Sequence, residues 1–379
     1  MATREAMERT DPTDHIRIDI PPLYCPIPYR IDPRADELTR RGQAWVRTFV
    51  TDPGLLARID ATNSGEGMAL IFPGAPPDLL QIVTDWTYLT FAFDDVHAEF
   101  DSGDHSSHAA FATLAPRLLW MMEHPHAGLL EPNPFTDALV EVSGRTRERA
   151  TPAQFRRWLH GHRLWWDHAI WETAIRSTGK SVDFNESVAI RGWQTAGVIY
   201  AAVLEILHGA ELPEVEYSAP AVQAVLHAFS LIAGWDNDLY SYGKELWQNQ
   251  RRQPNPDGEL FVGNLVGALM HRDGCGLPAA LDRAVGMRDH MMCLFIRLRE
   301  QLWPKASAEL RALLDGLARI VRGHLDWYFA PNTLRYSNPD GASPGAVTVT
   351  GGFSETPSPG ASEPLPIPSI RWLWEQLDH

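Results

Sequence analysis

The feature that most constrains the fold is a succession of segments with helical periodicity and only short breaks between them. Apolar residues recur at helical spacing from Ala35 to Leu55, and arginines occupy the other face. Further helical segments follow over residues 79–100, 111–122, 133–149, 152–178, 185–208, 219–248, 263–271, 279–301 and 307–329. Strand signals are almost absent, because no run of alternating β-branched residues is bounded by hairpin dipeptides. The pattern predicts an all-α fold with one large helical domain.

The two ends of the chain have a different composition. Residues 1–20 are polar and are expected to form a flexible segment, whereas residues 21–33 carry five prolines, which indicates an ordered strap or a turn-rich lead-in. Of the 33 residues from 337 to 369, 21 are Gly, Pro, Ser or Thr, a composition that cannot pack a core. The apolar patch over residues 370–374 either docks back as a short helix or belongs to a disordered tail. We therefore expect a main domain over residues 21–336 and a Gly/Pro/Ser-rich C-terminal tail over residues 337–379.

Charge and cysteine content exclude several classes of function. The formal net charge is −15, so nucleic-acid binding and polybasic membrane attachment are disfavoured, and binding of a phosphate substrate would require that the protein's carboxylates be screened. The longest uncharged stretch, residues 217–235, contains proline and polar residues and predicts a buried core helix, with no membrane span. Three widely spaced cysteines and an N-terminus without an apolar signal-peptide core predict a reduced, cytoplasmic setting.

Two short motifs carry groups that can bind a metal. In FAFDDVHAEF, residues 91–100, Asp94 and Asp95 are adjacent and Glu99 follows Asp95 by one helical turn, an arrangement that can hold a hard divalent cation through oxygen. Taken alone, such a cluster is more often a solvated helix end. In NDLYSYGKE, residues 237–245, the spacing by four places Asn237, Ser241 and Glu245 on one helix face. An amide oxygen, a hydroxyl and a carboxylate there form an oxygen cage suited to Mg²⁺. A capped, exposed helix face is the alternative, but it does not explain why these three types share one stripe.

Together with further elements, these motifs resemble the bacterial class I terpene synthases, also called terpene cyclases. FDDVHAE resembles the aspartate-rich motif of that family, and NDLYSYGKE fits its NDxxSxx(K/R)E pattern. Arg335 and Tyr336 are similar to its C-terminal Arg-Tyr pair, and residues 23–33 to its entry segment. Arg191 lies 46 positions before Asn237, where the family places a diphosphate-sensing arginine. The resemblance spans roughly residues 24–336 of the chain.

The sequence departs from the family pattern at two positions. The commoner aspartate motif has its third acid where this chain has Ala98, and Glu99 offers a DDxxxE variant instead. Upstream of Arg191, the family usually has a tyrosine where this chain has Ser187, a change that bears on local packing.

The resemblance implies a single-domain class I terpenoid synthase bundle of α-helices around a central apolar cavity, with the two motifs on opposite walls of its mouth. Three Mg²⁺ ions, for which Mn²⁺ could substitute, would bind the diphosphate of a linear isoprenoid. Their ligands would be Asp94, Asn237, Ser241 and Glu245, with Asp95 and Glu99 as further candidates. The resemblance assigns the diphosphate donors to Arg191, Lys244, Arg335 and Tyr336.

Other residues are expected to stabilise the carbocation that forms after diphosphate loss. Aromatic faces stabilise cations by about 0.5–2 kcal/mol each, and Phe91 and Trp327 are the candidates beside the motifs. By resemblance, Gln194 and Thr195 take the linker and effector positions at a break in the helix that carries Arg191, which two glycines permit. The tryptophans between residues 158 and 171 fit core packing equally well, and no histidine pair has metal-binding spacing.

The expected function is Mg²⁺-dependent cyclisation of farnesyl diphosphate to a sesquiterpene hydrocarbon or alcohol, with release of diphosphate. Geranyl or geranylgeranyl diphosphate are alternative substrates, because cavity volume sets the chain length. A chain-elongating prenyltransferase needs a second aspartate-rich motif where NDLYSYGKE stands, and a non-catalytic helical protein leaves the motif spacing unexplained. The expected assembly is a monomer or a homodimer.

Overall fold

The computed structural model describes residues 15–98, 105–178, 182–251 and 263–377, and most of these are helical. The first helices are α1 (Ala35–Val46), α2 (Pro53–Ala61), α3 (Ser64–Ile71), α4 (Pro77–Phe93), α5 (His105–Glu123), α6 (Pro134–Arg149) and α7 (Pro152–Ser177). They are followed by α8 (Phe184–Arg191), α9 (Gly197–His208), α10 (Glu214–Tyr217), α11 (Pro220–Arg251), α12 (Leu265–Asp273), α13 (Leu277–Leu302) and α14 (Ala308–Phe329). The all-α prediction is confirmed, and most predicted helix boundaries fall within a few residues of the observed ones. Helix α5 begins six residues before its predicted start, and two predicted segments are interrupted, at residues 47–52 and 192–196.

Helix α11 is the central element of the bundle. It packs against α9, α12, α13 and α14, and nearly all of its residues from Val222 to Ser241 are buried. The uncharged stretch over residues 217–235 therefore forms a core helix, because a helix surrounded by others is apolar on every side. Among the described helices, none combines the length and the apolar character needed to cross a membrane.

Helix α3 is a short element that periodicity did not predict. It packs between α1, α4 and α14. Its glycines make this close packing possible: a Cβ atom at Gly65 would lie 2.2 Å from the backbone nitrogen of Thr39 in α1, and one at Gly67 would lie 2.9 Å from the indole of Trp327 in α14. A stripe of larger side chains, which periodicity detects, could not occupy this position.

Segments near the two ends of the chain pair with each other. Residues 16–19 of the segment expected to be flexible form a strand, residues 1–14 lie outside the described residues, and the tail expected to stay unpacked contributes two strands. Strand β1 (Ile16–Asp19) pairs in parallel with β3 (Val347–Thr350), and β2 (Leu23–Tyr24) pairs in parallel with β4 (Phe353–Ser354). Ile18 and Val347 are buried against α11, where Gly243 leaves room for them. These few apolar residues pack onto a preformed bundle, so they do not require a core of their own.

The last described element is a 3₁₀ helix over Pro368–Gln376, which we call the C-terminal helix. It lies against α8 and α11, with Ile370, Leu373 and Trp374 buried. The apolar patch over residues 370–374 is therefore docked on the bundle. A second, shorter 3₁₀ helix, Trp303–Lys305, follows α13.

Candidate active site

The acidic motif lies at the end of α4, where the chain continues as a π-helical turn over Asp94–Ala98. The side chain of Asp94 is 35% exposed, whereas that of Asp95 is 2% exposed. Asp95 forms ion pairs with Arg58 at 3.3 Å and with Arg335 at 2.9 Å. Asp94 is thus the accessible carboxylate of the pair, and Asp95 anchors two arginines. The candidate ligand Glu99 lies outside the described residues.

The second motif forms a continuous polar face on α11. The Ser241 hydroxyl donates a hydrogen bond to Glu245 Oε1 at 2.5 Å, and Asn237 lies one turn earlier on the same face. Lys244 is buried on this helix, next to Glu245. Since α11 is continuous through all four positions, the spacing by four brings the three oxygen-bearing side chains together as the sequence predicts.

Asn264, which motif reasoning missed, holds this face from the side. Its amide oxygen accepts a hydrogen bond from the backbone of Val266 and caps α12. Its Nδ2 donates to Glu245 Oε2 at 3.2 Å and to the carbonyl of Asp238 at 2.8 Å. The sequence could have suggested the cap, since Asn precedes an apolar helical run, but not the contact with Glu245.

Arg191 reaches the same face from the end of α8. Its Nη2 donates to Asn237 Oδ1 at 2.8 Å and to the carbonyl of Gly234 at 3.0 Å, and it pairs with Asp238 Oδ1 at 2.7 Å. Burial raises the pKa of Asp238 to about 7, and the charge of Arg191 opposes that rise. The 46-residue spacing in the sequence thus corresponds to a direct contact between Arg191 and Asn237.

The segment 192–196 between α8 and α9 carries the other two residues expected at the helix break. Gln194 hydrogen-bonds Glu172 of α7 through its Nε2, and its Oε1 lies 3.5 Å from Arg191 Nη1. The Thr195 hydroxyl lies 3.4 Å from that of Ser230 on α11. Both residues therefore stand between Arg191 and the neighbouring helices.

The adjacent residues Arg335 and Tyr336 join the two motifs. The Arg335 guanidinium lies 3.3 Å from Asp94 Oδ2 and 2.9 Å from Asp95 Oδ1. Asn237 Nδ2 donates to the Tyr336 hydroxyl at 3.2 Å. Burial raises the pKa of Tyr336 to about 12, so this phenol stays protonated. One dipeptide after α14 thus contacts both walls of the site.

Aromatic side chains lie directly beneath this dipeptide. Arg335 stacks over the ring of Phe91 at 4.7 Å, and the rings of Phe91 and Trp327 are 5.7 Å apart. The indole of Trp327 donates to the carbonyl of Thr62 at 2.8 Å, which fixes its orientation. Both residues proposed from the sequence are therefore adjacent to the Arg-Tyr pair.

A cavity of about 260 Å³ lies between α4, α5, α6 and α7, alongside the acidic motif. Its lining is largely aromatic and aliphatic and includes Trp86, Phe93, Trp165 and Trp166. His162 also lines it, accepting the Trp86 N–H at 3.0 Å. Burial lowers the pKa of His162 to about 4, so the ring is neutral at pH 7. Sequence reasoning could not distinguish Trp165 and Trp166 from core residues, because lining a cavity requires the same periodicity as packing.

The donor set of the site consists of oxygen atoms from two walls. Over the described ranges, no three His, Cys, Asp or Glu side chains cluster as a metal site would require. Asp94, Asn237, Ser241 and Glu245 instead offer carboxylate, amide and hydroxyl oxygens, the ligands that hard divalent cations prefer. The chemistry of these residues therefore fits a hard divalent cation.

Comparison with known proteins agrees with this geometry. The family model described as terpene synthase family 2, C-terminal metal binding, matches residues 85–292. Phomopsene synthase from Allokutzneria albata is 34% identical over 366 residues, covering 94% of this chain and 97% of that protein. Diterpene cyclase DtcycA from a Streptomyces species is 34% identical over 387 residues, covering 97% and 100%.

The descriptions of two further similar proteins name a substrate or a bound ligand. A (+)-T-muurolol synthase from Streptomyces clavuligerus, described as (2E,6E)-farnesyl diphosphate cyclizing, is 29% identical and covers 93% of this chain and 81% of that protein. The crystal structure of 2-methylisoborneol synthase from Streptomyces coelicolor, in complex with Mg²⁺ and 2-fluoroneryl diphosphate, superposes with a TM-score of 0.72. It is 25% identical and covers 83% of this chain and 97% of that one.

The fold and the two-walled oxygen site define a class I terpene synthase, a carbon–oxygen lyase acting on phosphates. The chain belongs to the bacterial terpene synthase family and contains its C-terminal metal-binding domain, which uses a divalent metal.

Proposed function

We propose that this enzyme is a Mg²⁺-dependent cyclase that ionises farnesyl diphosphate and folds the cation into a sesquiterpene hydrocarbon or alcohol. The observation that carries the proposal is the contact of Arg335 and Tyr336 with both motifs, at 3.3 Å from Asp94 and 3.2 Å from Asn237. A diphosphate placed between the walls would meet donors that are already oriented. Preoriented donors stabilise developing charge without reorganisation during the reaction.

The first step of the proposed reaction is loss of the diphosphate group. Arg191, Lys244, Arg335 and the Tyr336 hydroxyl would donate to its oxygens as the C–O bond breaks and negative charge accumulates there. Arg191 now donates to Asn237, and Arg335 is paired with Asp94, so both guanidinium groups would exchange these partners for the substrate.

The metal ligands in this proposal are Asp94, Asn237, Ser241 and Glu245, with Glu99 as a further candidate and three ions expected; the geometry of Asp95 favours an anchoring role. Bound Mg²⁺ supplies positive charge that neutralises the diphosphate, and Mn²⁺ could replace it. Phe91 and Trp327 present aromatic faces beneath Arg335, where they would stabilise the allylic cation. Gln194 and Thr195 are proposed to position the helix break.

A second candidate substrate, geranylgeranyl diphosphate, is favoured by one specific observation. The relative described as a diterpene cyclase is 34% identical and matches over its whole length, whereas the relative described as cyclizing farnesyl diphosphate is 29% identical. The site geometry is the same for either substrate, because the diphosphate end does not differ between them.

The test is an assay of purified protein with geranyl, farnesyl and geranylgeranyl diphosphate, with and without Mg²⁺, followed by analysis of hydrocarbon and alcohol products. We expect Mg²⁺-dependent release of diphosphate and a cyclic product from one chain length. Asp94→Ala and Asn237→Leu should abolish turnover while leaving helical content unchanged. Absence of diphosphate release from all three substrates would refute the proposal, and retained activity in both variants would refute the ligand assignment.

A further inference from the structure

We propose that the C-terminal helix positions the diphosphate donor Arg191, acting through Trp372, His227 and the break after α8. This inference rests on the proposed function, because it takes Arg191 as a diphosphate donor. It adds a positioning role for a segment that lies more than 30 residues after the Arg-Tyr pair.

The C-terminal helix is fixed to the first turn of α8, the helix that ends at Arg191. The backbone nitrogen of Ser369 donates to Asn185 Oδ1 at 2.8 Å, and the Ser369 hydroxyl donates to the Asn185 carbonyl at 3.0 Å. Ile370 and Leu373 are fully buried between this segment and the bundle. These contacts fix the start of a helix only eight residues long, so they also limit the movement of its end.

A chain of three rings then connects the C-terminal helix to the residues that follow Arg191. The ring of Trp372 meets that of His227 edge to face, with centroids 5.7 Å apart, and His227 meets Trp193 edge to face at 4.7 Å. His227 belongs to α11 and is 8% exposed. The Nε2 atom of His227 has no hydrogen-bond partner among the described residues, so the imidazole acts here through packing.

The same histidine also presses against the break itself. A Cβ atom at position 192 would lie 2.7 Å from His227 Nε2, so the break can approach α11 only because residue 192 is glycine. Arg191 directly precedes this glycine, and its Nη2 reaches the carbonyl of Gly234 at 3.0 Å. The position of the imidazole ring therefore sets how close the end of α8 lies to the polar face of α11.

Without Trp372, the imidazole loses one of the two indole rings that contact it among the described residues. The break could then move outward, and the Arg191 guanidinium would be held less firmly at Asn237, because its contacts with α11 would have to fix it without the support of the break. A displacement of about 1 Å at a positioned group can lower turnover by up to about 100-fold. The expected defect is therefore a loss of diphosphate affinity and of kcat, while the fold remains intact.

The experiment compares full-length Trp372→Ala with Trp303→Ala, a control in which a tryptophan is removed from the other 3₁₀ helix, and with the conservative Trp372→Phe. Binding of inorganic diphosphate in the presence of Mg²⁺ is measured by calorimetry, and kcat and KM are measured with the isoprenyl diphosphate that the wild type uses. We expect Trp372→Ala to weaken diphosphate binding and lower kcat by roughly 10- to 100-fold. Trp303→Ala should match the wild type, and Trp372→Phe should recover most of the loss.

The route through Arg191 is tested by a double-mutant cycle. In an Arg191→Gln background, Trp372→Ala should have no further effect on diphosphate binding, because the group that it positions is gone. An additive effect, or a Trp372→Ala variant that binds diphosphate as the wild type does, would overturn the inference. If Trp372→Ala does not fold, Ser369→Ala replaces it, and unchanged diphosphate binding there would likewise overturn it. Failure of the proposed function is distinguishable, because in that case the wild type itself would release no diphosphate from any isoprenyl substrate.

Discussion

Replacing Arg335 by alanine should affect stability and catalysis through separate partners. The Arg335 side chain is 5% exposed, and its removal leaves the carboxylate of Asp95, itself 2% exposed, with Arg58 as its remaining ion-pair partner among the described residues, at 3.3 Å. Breaking a buried pair typically costs about 3–5 kcal/mol. Arg58 stays in place and Asp94 is partly exposed to water, so we expect a loss of about 2–3 kcal/mol in the free energy of unfolding. Turnover should fall about 100- to 1,000-fold, as when a preoriented donor is removed.

A second substitution separates the two effects. Asp95→Asn in the Arg335→Ala background removes the buried charge that has lost one of its arginine partners, so it should restore at least half of the lost stability. It supplies no donor for the diphosphate, so turnover should stay at the level of Arg335→Ala.

Urea denaturation followed by circular dichroism and an assay of diphosphate release measure the two quantities in wild type, Arg335→Ala, Asp95→Asn and the double variant. Two results would refute the reasoning. One is an unchanged urea midpoint in Arg335→Ala. The other is a double variant that regains turnover.

Further predictions concern the support of the metal face, helix packing and pH. Asn264→Ala should raise the Mg²⁺ concentration for half-maximal turnover by about 10- to 100-fold, because Glu245 loses one of its orienting donors and keeps the Ser241 hydroxyl, and an unchanged metal dependence would contradict this. Gly65→Ala should lower the free energy of unfolding by about 3 kcal/mol because its Cβ meets backbone atoms of α1, whereas Gly144→Ala, with open space around it, should be neutral or stabilising; equal urea midpoints would argue against this packing. Burial holds the pKa of His162 near 4, below the ordinary value of 6.5 expected in the unfolded chain. The neutral imidazole therefore contributes fully to the free energy of unfolding above pH 6.5, and this contribution is lost as the pH falls towards 4. Between pH 7 and pH 5 the free energy of unfolding should therefore drop by about 2 kcal/mol more in wild type than in His162→Gln. Equal pH dependence of the two proteins would refute the lowered pKa of His162.

The parts of the site that sequence could predict are those fixed by local geometry. Asn237, Ser241 and Glu245 share a face because a continuous helix repeats every 3.6 residues, and no distant contact is needed to place them. The helix break after Arg191 is also local, since glycines lie at both of its ends.

The remaining parts depend on contacts between residues far apart in the chain. Arg58 meets Asp95 across 37 positions, and Trp372 meets His227 across still more. The periodicity of the sequence does not predict such a contact, because each partner alone looks like an ordinary surface or core residue. The C-terminal composition misled for the same reason: a segment poor in apolar residues can still be ordered when its few apolar side chains dock on a finished bundle.

The pairing of the chain ends bears on how the enzyme is made. Ile16 of β1 pairs with Val347, so the first strand has no partner until the ribosome has added more than 300 further residues. At typical translation rates this interval is on the order of tens of seconds, during which Ile18 and the surface of α11 around Gly243 remain uncovered. The nascent chain can form its helices during synthesis, but the face of α11 around Gly243 is covered only after β3 has been made, a step that a product truncated before β3 could not complete.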